Sequence, residues 1–276
     1  MAICRKFRKP DLFLTFTCNT KWEEITRELR EGEIVQDRPD LVARVFKLKK
    51  DQLMNDIKSG NVFGKVPAFL WVIEFQKRGL PHTHILVILD EEDRLTTSSD
   101  VDNVISAQLP PDPNLFEKGS DKYKQAERLE STILKNMIHG PCGKLNPKSP
   151  CMQDGICSKG YPKPFCDKTV INSDRTYPEY QRLSPEDGGR KIIHQGYEIN
   201  NSWVVPYSPY ISLRFGGHAN LEVCMSFIAP KYLFKYVTKG KDRAMVRAEV
   251  VEGNDTVKDE IEEYVDLRSV GSSEAS

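Results

Sequence analysis

Hydrophobic and polar positions alternate along Asp11-Leu-Phe-Leu-Thr-Phe-Thr17, and the aromatic and β-branched content of that run predicts a strand. The period then lengthens. Trp22 to Arg30 reads as a helix. Asp40 to Ser59 reads as a longer one, in which Val42, Val45, Phe46, Leu53, Met54 and Ile57 form an apolar stripe that Gly60 ends. Phe69–Gln76 and Thr83–Leu89 return to the strand pattern and predict an antiparallel hairpin around the Lys77–Pro81 turn. Residues 90 to 120, rich in Asp, Ser and Pro, read as a surface connection, and Asp121 to Ile138 as a helix. From 139 to 167 periodicity disappears, and Gly, Pro and Cys dominate. A strand-rich stretch resumes near Trp203, with Ile211–Phe215 and Leu221–Phe227 as candidate strands, and a short helix starts at Pro230. The expected class is α+β: a central antiparallel sheet with flanking helices and a Cys-rich insert.

Composition narrows this only slightly. The 276 residues suffice for one large domain or two small ones, with 29% charged and 39% hydrophobic residues. No run approaches the roughly 20 apolar residues of a membrane span, so no membrane partner is expected. The first residues show no hydrophobic signal region, so no secretory address is expected. Net charge is zero, but its distribution is uneven. Arg5, Lys6, Arg8 and Lys9 crowd the start, Lys231, Lys235, Lys239, Lys241 and Arg243 a later segment, and acids the stretch after Glu249. A neutral total can therefore conceal a basic groove. Seven cysteines without a signal sequence suggest thiols or metal ligands rather than disulfides, and four of them fall between 142 and 166.

Three groups of residues carry chemistry. His82 and His84 flank Thr83 on a predicted strand, so both imidazoles point the same way and form half of a divalent-metal site. Glu74 and Gln76 share one face of the partner strand and offer a third, oxygen ligand. The second group is the helix Pro230–Gly240, where Tyr232 and Tyr236 project from one face with Lys235 and Lys239 in a row beside them. A phenol next to a divalent metal and lysines can attack a phosphodiester, although the same spacing also describes a core face and a solvated one. In the third, His139, Cys142, Cys151 and Cys157 supply the four ligands of tetrahedral zinc, with Cys166 able to replace one of them. A segment so poor in apolar residues needs such a staple. His194 and His218 read as polar surface. Cys4, Cys18 and Cys224 read as small core residues. Trp71, Trp203, Tyr207 and Tyr210 are candidates to stack DNA bases but read foremost as core.

Phe13-Leu-Thr-Phe-Thr17, the stretch from Glu74 to His84, and Lys231-Tyr-Leu-Phe-Lys-Tyr236 occur in the order of the HUH (His-hydrophobic-His) endonucleases of rolling-circle replication. More narrowly, Leu12 to Arg243 resembles the replication-initiator region of Helitron transposases, the Helitron helicase-like domain. Met137-Ile-His-Gly-Pro-Cys142 and Asn201-Ser-Trp-Val-Val-Pro-Tyr-Ser-Pro-Tyr210 belong to the same pattern. Thr83 departs from it by occupying the hydrophobic slot. The resemblance implies a ferredoxin-like sheet, the HUH palm. It also implies Mg²⁺ or Mn²⁺ on His82 and His84, with Gln76 favoured by its closeness to the turn and Glu74 as its competitor. Tyr232 or Tyr236 would then form a 5′-phosphotyrosine bond in single-stranded DNA at transposon ends, with Lys235 and Lys239 on the DNA backbone. It further implies a nuclear location and a helicase domain in the parent protein.

The expected organisation is a basic arm (1–10), a first part of the nuclease core (11–138), the zinc insert (139–167), a second part of the core (168–250) and an acidic tail (251–276) that reads as a truncated boundary. No phosphate-binding loop occurs, so no helicase motor is expected in this chain. The paired His-x-Thr signature of two-histidine phosphodiesterases is absent, and Leu86 stands where a histidine-triad protein has its third histidine. The rival readings are a catalytically inactive remnant that binds single-stranded DNA, and a plasmid- or virus-type replication initiator. The Cys insert and Tyr177-Pro-Glu-Tyr180 favour the transposon reading.

Overall fold

The computed structural model describes residues 8–75, 80–172, 174–225 and the backbone of 245–250. Gln76, the helix carrying Tyr232, Lys235, Tyr236 and Lys239, Cys4, and the acidic tail lie outside the described residues. The chain divides into two compact units. One comprises Met1–Leu95, Ser173–Tyr177 and Leu221–Ser276, the other Thr96–Asn172 and Pro178–Asn220.

The first unit is built on strands β1 (Leu12–Thr17), β2 (Ala68–Phe75) and β3 (Pro81–Ile88), with helices α1 (Glu23–Thr26) and α2 (Pro39–Lys58) between β1 and β2. Two later strands, β8 (Ala219–Val223) and β9 (Met245–Val250), complete a five-stranded sheet in the order β8-β1-β3-β2-β9. β3 is the middle strand, antiparallel to both β1 and β2, and β2 is antiparallel to β9. The alternation of β1 gives the sheet two different faces. Leu12, Leu14 and Phe16 are fully buried on one face, while Phe13, Thr15 and Thr17 occupy the other.

Helix α2 covers the first face. Pro39 starts it, where the missing amide hydrogen costs nothing, and its buried stripe runs through Leu41, Val42, Val45, Phe46, Leu53, Met54 and Ile57. Phe46 stacks on Phe16 at 5.8 Å between ring centroids, and Lys50 places its ammonium 4.0 Å above the Trp71 ring. At about 1.5–3 kcal/mol for each large buried side chain, this layer is a large favourable contribution to the stability of the sheet. Trp71 is thus interior. α1 is shorter than its sequence suggests, because only Trp22 and Ile25 are buried and the charged residues after Thr26 offer no further stripe.

The second unit contains α3 (Ser98–Val104), α4 (Asp121–Asn136), two small hairpins, β4–β5 (Met152–Gln153, Ile156–Cys157) and β6–β7 (Lys191–His194, Tyr197–Asn200), and α5 (Pro209–Phe215). Two expectations change here. Residues 90–120 are not merely a surface connection. The Thr97 hydroxyl accepts the Asp100 amide while the Asp100 carboxylate accepts that of Thr97, which starts α3, and Val101, Ile105, Ala107 and Leu109 are buried. Ile211–Phe215 is helical, not a strand. Pro209 sits at its start, Gly216 ends it in the left-handed region at φ 59°, and these signals outweigh the β-branched content.

Leu109, Leu129, Ile133, Met137, Val204 and Tyr207 form the core of this unit. Arg182 is buried beside them and donates through one terminal nitrogen to the carbonyls of Ala107, Asn201 and Val204. The Asn201 side chain accepts the Leu109 amide and donates to the Leu183 carbonyl. Among the described residues no helix is long and apolar enough to cross a membrane.

Candidate metal centres

Register creates the first centre. Glu74 stands opposite His82 on the β2–β3 pair, and Thr15 stands opposite His84 on the β1–β3 pair. The period of two puts Glu74, His82, His84, Thr15 and Phe13 on the face of the sheet away from α2. Glu74 Oε2 lies 2.9 Å from His82 Nε2 and 3.5 Å from His84 Nε2, and the two Nε2 atoms are 3.1 Å apart. Both imidazoles are buried, and Glu74 is half-buried.

These separations suit a common cation. Two ligand atoms about 2.1 Å from one ion, in neighbouring positions of an octahedron, stand about 3 Å apart. Three lone-pair atoms at this spacing repel unless a proton or a metal ion lies among them. Burial, followed by the charge of His82, pushes the pKa of His84 down to about 4. Burial also lowers that of His82, against the opposing pull of Glu74. Both rings are therefore neutral near pH 7, the form that binds a metal. One carboxylate oxygen and two imidazole nitrogens form a set able to hold a divalent ion with coordination positions left open. Of the two oxygen ligands the sequence offers, Glu74 belongs to this set. Gln76 lies outside the described residues.

Thr83, in the hydrophobic slot, is fully buried on the α2 side and donates its hydroxyl to the Val72 carbonyl at 2.9 Å. Its polarity is thus satisfied where an apolar residue is expected. The sequence reading missed Thr15, whose Oγ1 lies 3.0 Å from His84 Nδ1, and Phe13, which stacks on the His84 ring at 5.5 Å and 13°. The available signals were their positions in the alternating run of β1 and their place in the stretch Phe13–Thr17 that carries part of the resemblance.

The second centre lies in the Cys-rich segment of the other unit. His139, Cys142, Cys151 and Cys157 bring one ligand atom each within 4.8 Å of one another, a set able to hold a metal ion such as zinc. Cys157 Sγ is 3.4 Å from His139 Nε2. Burial opposes ionisation of Cys157, but the backbone amides of Tyr161 and Lys159 donate to its sulfur and hold the thiol below its ordinary pKa. Burial pushes the Cys142 thiol up to about 12, and keeps His139 below its ordinary value with help from Lys163 and Lys159. Tyr161 stacks on His139 at 4.2 Å. Cys166 stands outside the group, with its thiol donating to the Lys168 carbonyl at 2.8 Å. None of the six described cysteines is in a disulfide.

The remaining candidates fall elsewhere. Tyr207 is buried and donates its hydroxyl to the Gln108 carbonyl, and burial raises its pKa to about 12. Trp203 packs with Cys142, Cys157 and Ile199. Neither offers a face for stacking a base, whereas Tyr210 is exposed. His218 is not simple polar surface, since its Nδ1 pairs with the carbonyl of Asn136 at the end of α4. His194 is half-buried at the turn end of β6.

The chain has no match among curated protein sequences. Residues 1–87, the span that holds β1, β2, Glu74, His82 and His84, match the family model of the Helitron helicase-like domain at the N-terminus.

Proposed function

We propose that this protein is a metal-dependent single-stranded DNA nickase and strand-transferase of Helitron transposition, acting by tyrosine transesterification. The observation that carries this reading is the convergence of Glu74, His82 and His84 on one point of a rigid sheet, within the span that matches the Helitron domain. A divalent ion held there, Mg²⁺ or Mn²⁺, would supply positive charge to the scissile phosphate. Glu74 is the oxygen ligand of this reading.

Tyr232 or Tyr236 attacks phosphorus through its phenolic oxygen. The new bond joins phosphate to tyrosine, the bond to the 3′-oxygen breaks, and that oxygen takes up a proton to leave a free 3′-hydroxyl. The phosphotyrosine bond keeps the energy of the one broken, so rejoining to a new 3′-hydroxyl needs no ATP. Two tyrosines let one site hold one strand while cutting another. Lys235 and Lys239 neutralise the DNA backbone. Zinc on His139, Cys142, Cys151 and Cys157 staples the insert and takes no part in the chemistry. The parent protein carries its helicase elsewhere and acts in the nucleus.

The test is covalent attachment to a 3′-labelled oligonucleotide on a denaturing gel, with and without Mn²⁺. The parent chain forms a Mn²⁺-dependent adduct. His82→Ala abolishes it, as does the double variant Tyr232→Phe/Tyr236→Phe, which still binds the oligonucleotide. An adduct that survives in the double variant overturns the tyrosine assignment, and one that survives His82→Ala overturns the metal assignment.

A further inference from the structure

We infer that Thr15 is a positioning residue of the Glu74–His82–His84 site: its hydroxyl accepts the Nδ1 hydrogen of His84 and so fixes the imidazole tautomer that frees Nε2 to bind metal. The inference rests on the metal reading above. A neutral imidazole carries one hydrogen. Placed on Nε2, that hydrogen would point into the gap shared with His82 Nε2 at 3.1 Å and Glu74 Oε2 at 3.5 Å, where a cation would sit. On Nδ1 it meets Thr15 Oγ1 at 3.0 Å. A histidine that binds metal through one nitrogen is oriented by the partner of the other.

The geometry around Thr15 is built rather than incidental. Thr15 is the residue directly opposite His84 in the β1–β3 register, so a rigid ladder sets the distance. Phe13, two residues earlier on the same face, stacks on the ring and leaves its rotation little freedom. His82 differs. Its Nδ1 is buried and has no hydrogen-bond partner among the described residues, and Glu74, opposite it in register, is what orients it. The two histidines are thus held by different means, and removal of the Thr15 hydroxyl acts on His84 alone.

The test uses Thr15→Val, which keeps the β-branched shape without the hydroxyl, and Thr15→Ser, which keeps the hydroxyl. Mn²⁺ affinity of the full chain is measured by calorimetry. The histidine tautomers of the metal-free protein are read from nitrogen chemical shifts. Thr15→Val is expected to weaken Mn²⁺ binding by roughly 10–100-fold, the usual cost of losing such a support. It also shifts the His84 spectrum away from the Nδ1-protonated form, and Thr15→Ser restores both. A parent spectrum with His84 protonated on Nε2 overturns the inference, and so does a Val variant that binds Mn²⁺ as tightly as the parent while His82→Ala does not bind it. Mn²⁺ binding that survives His82→Ala would instead sink the metal reading, and the nitrogen spectrum then decides the role of Thr15 by itself.

Discussion

The two metal-type centres of this chain are assembled in opposite ways. Glu74, His82 and His84 project from neighbouring strands of a sheet whose other face α2 already buries. His139, Cys142, Cys151 and Cys157 come from a segment whose only strands, β4 and β5, are two residues long. The apolar cluster around them includes two of the thiols, Cys142 and Cys157, packed with Ile199 and Trp203. In the first case the backbone ladder sets the donor positions before any ion arrives. In the second the donors are themselves the missing core. The donor chemistry differs in the same sense, since one carboxylate and two imidazoles would leave coordination positions open on an ion, while three thiolates and an imidazole are enough to close a tetrahedron.

The strongest way to break this contrast is to strip the cysteine centre. Binding of structural zinc is worth on the order of 10 kcal/mol and is largely folding free energy in such segments. Chelation or Cys157→Ser should therefore unfold residues 139–168 locally, seen as lost amide-exchange protection there, while β1, β2 and β3 keep theirs. Unchanged protection in the insert after the metal is removed would show that the segment needs no staple.

A second effect, smaller, belongs to the histidine centre without any metal. The folded pKa of His84 is held near 4, against 6.5 when unfolded, first by burial and then by His82. Above pH 6.5 neither state is protonated there and stability is flat. As pH falls from 6.5 towards 4 the unfolded chain takes up the proton first, so stability declines by up to about 1.4 kcal/mol per pH unit, about 3 kcal/mol in all. Urea unfolding of the metal-free sheet, followed by exchange of β2 and β3 amides, should show a larger loss in the parent than in His84→Gln, where the buried His82, its pKa also lowered, still contributes. An equal loss in both would place the acid sensitivity elsewhere.

How much of this could be read in the sequence follows the same division. β1, β2, β3 and α2 were legible because each carries a long run of one period, and the His82–His84 pair was legible because period two needs no tertiary information. Thr15 was not. Its meaning depends on which residue of another strand stands opposite, and a slip of one residue would turn it to the α2 face. Arg182 and Asn201 were missed for a related reason. Their hydrogen bonds reach Ala107, Val204, Leu109 and Leu183, at sequence separations that no local pattern encodes. The stretch Asn201–Tyr210, which carried part of the family resemblance, supplies interior groups at Asn201, Trp203 and Tyr207 in place of an evident DNA-stacking surface. α5 is too short to show a helical period, and its legible signals are the proline at its start and the glycine at its end.

The smallest expected effect sharpens the comparison most, because it separates ligation from proximity in sequence. Five candidate ligands were available for the four places of a tetrahedron, and spacing alone could not reject Cys166. Its backbone pairs with Arg182 in both directions, and its thiol donates to Lys168. A serine hydroxyl can make that same donation. Cys166→Ser should therefore leave bound zinc at one per chain and change stability by no more than about 0.5 kcal/mol, as expected away from a special site. Cys151→Ser, only fifteen positions earlier in the same segment, should release the zinc and reproduce the local unfolding of Cys157→Ser. Zinc content by mass spectrometry on the two variants checks this. If Cys166→Ser loses its zinc while Cys151→Ser keeps it, the centre closes through the later cysteine, and the fourfold group seen here is not the one that binds.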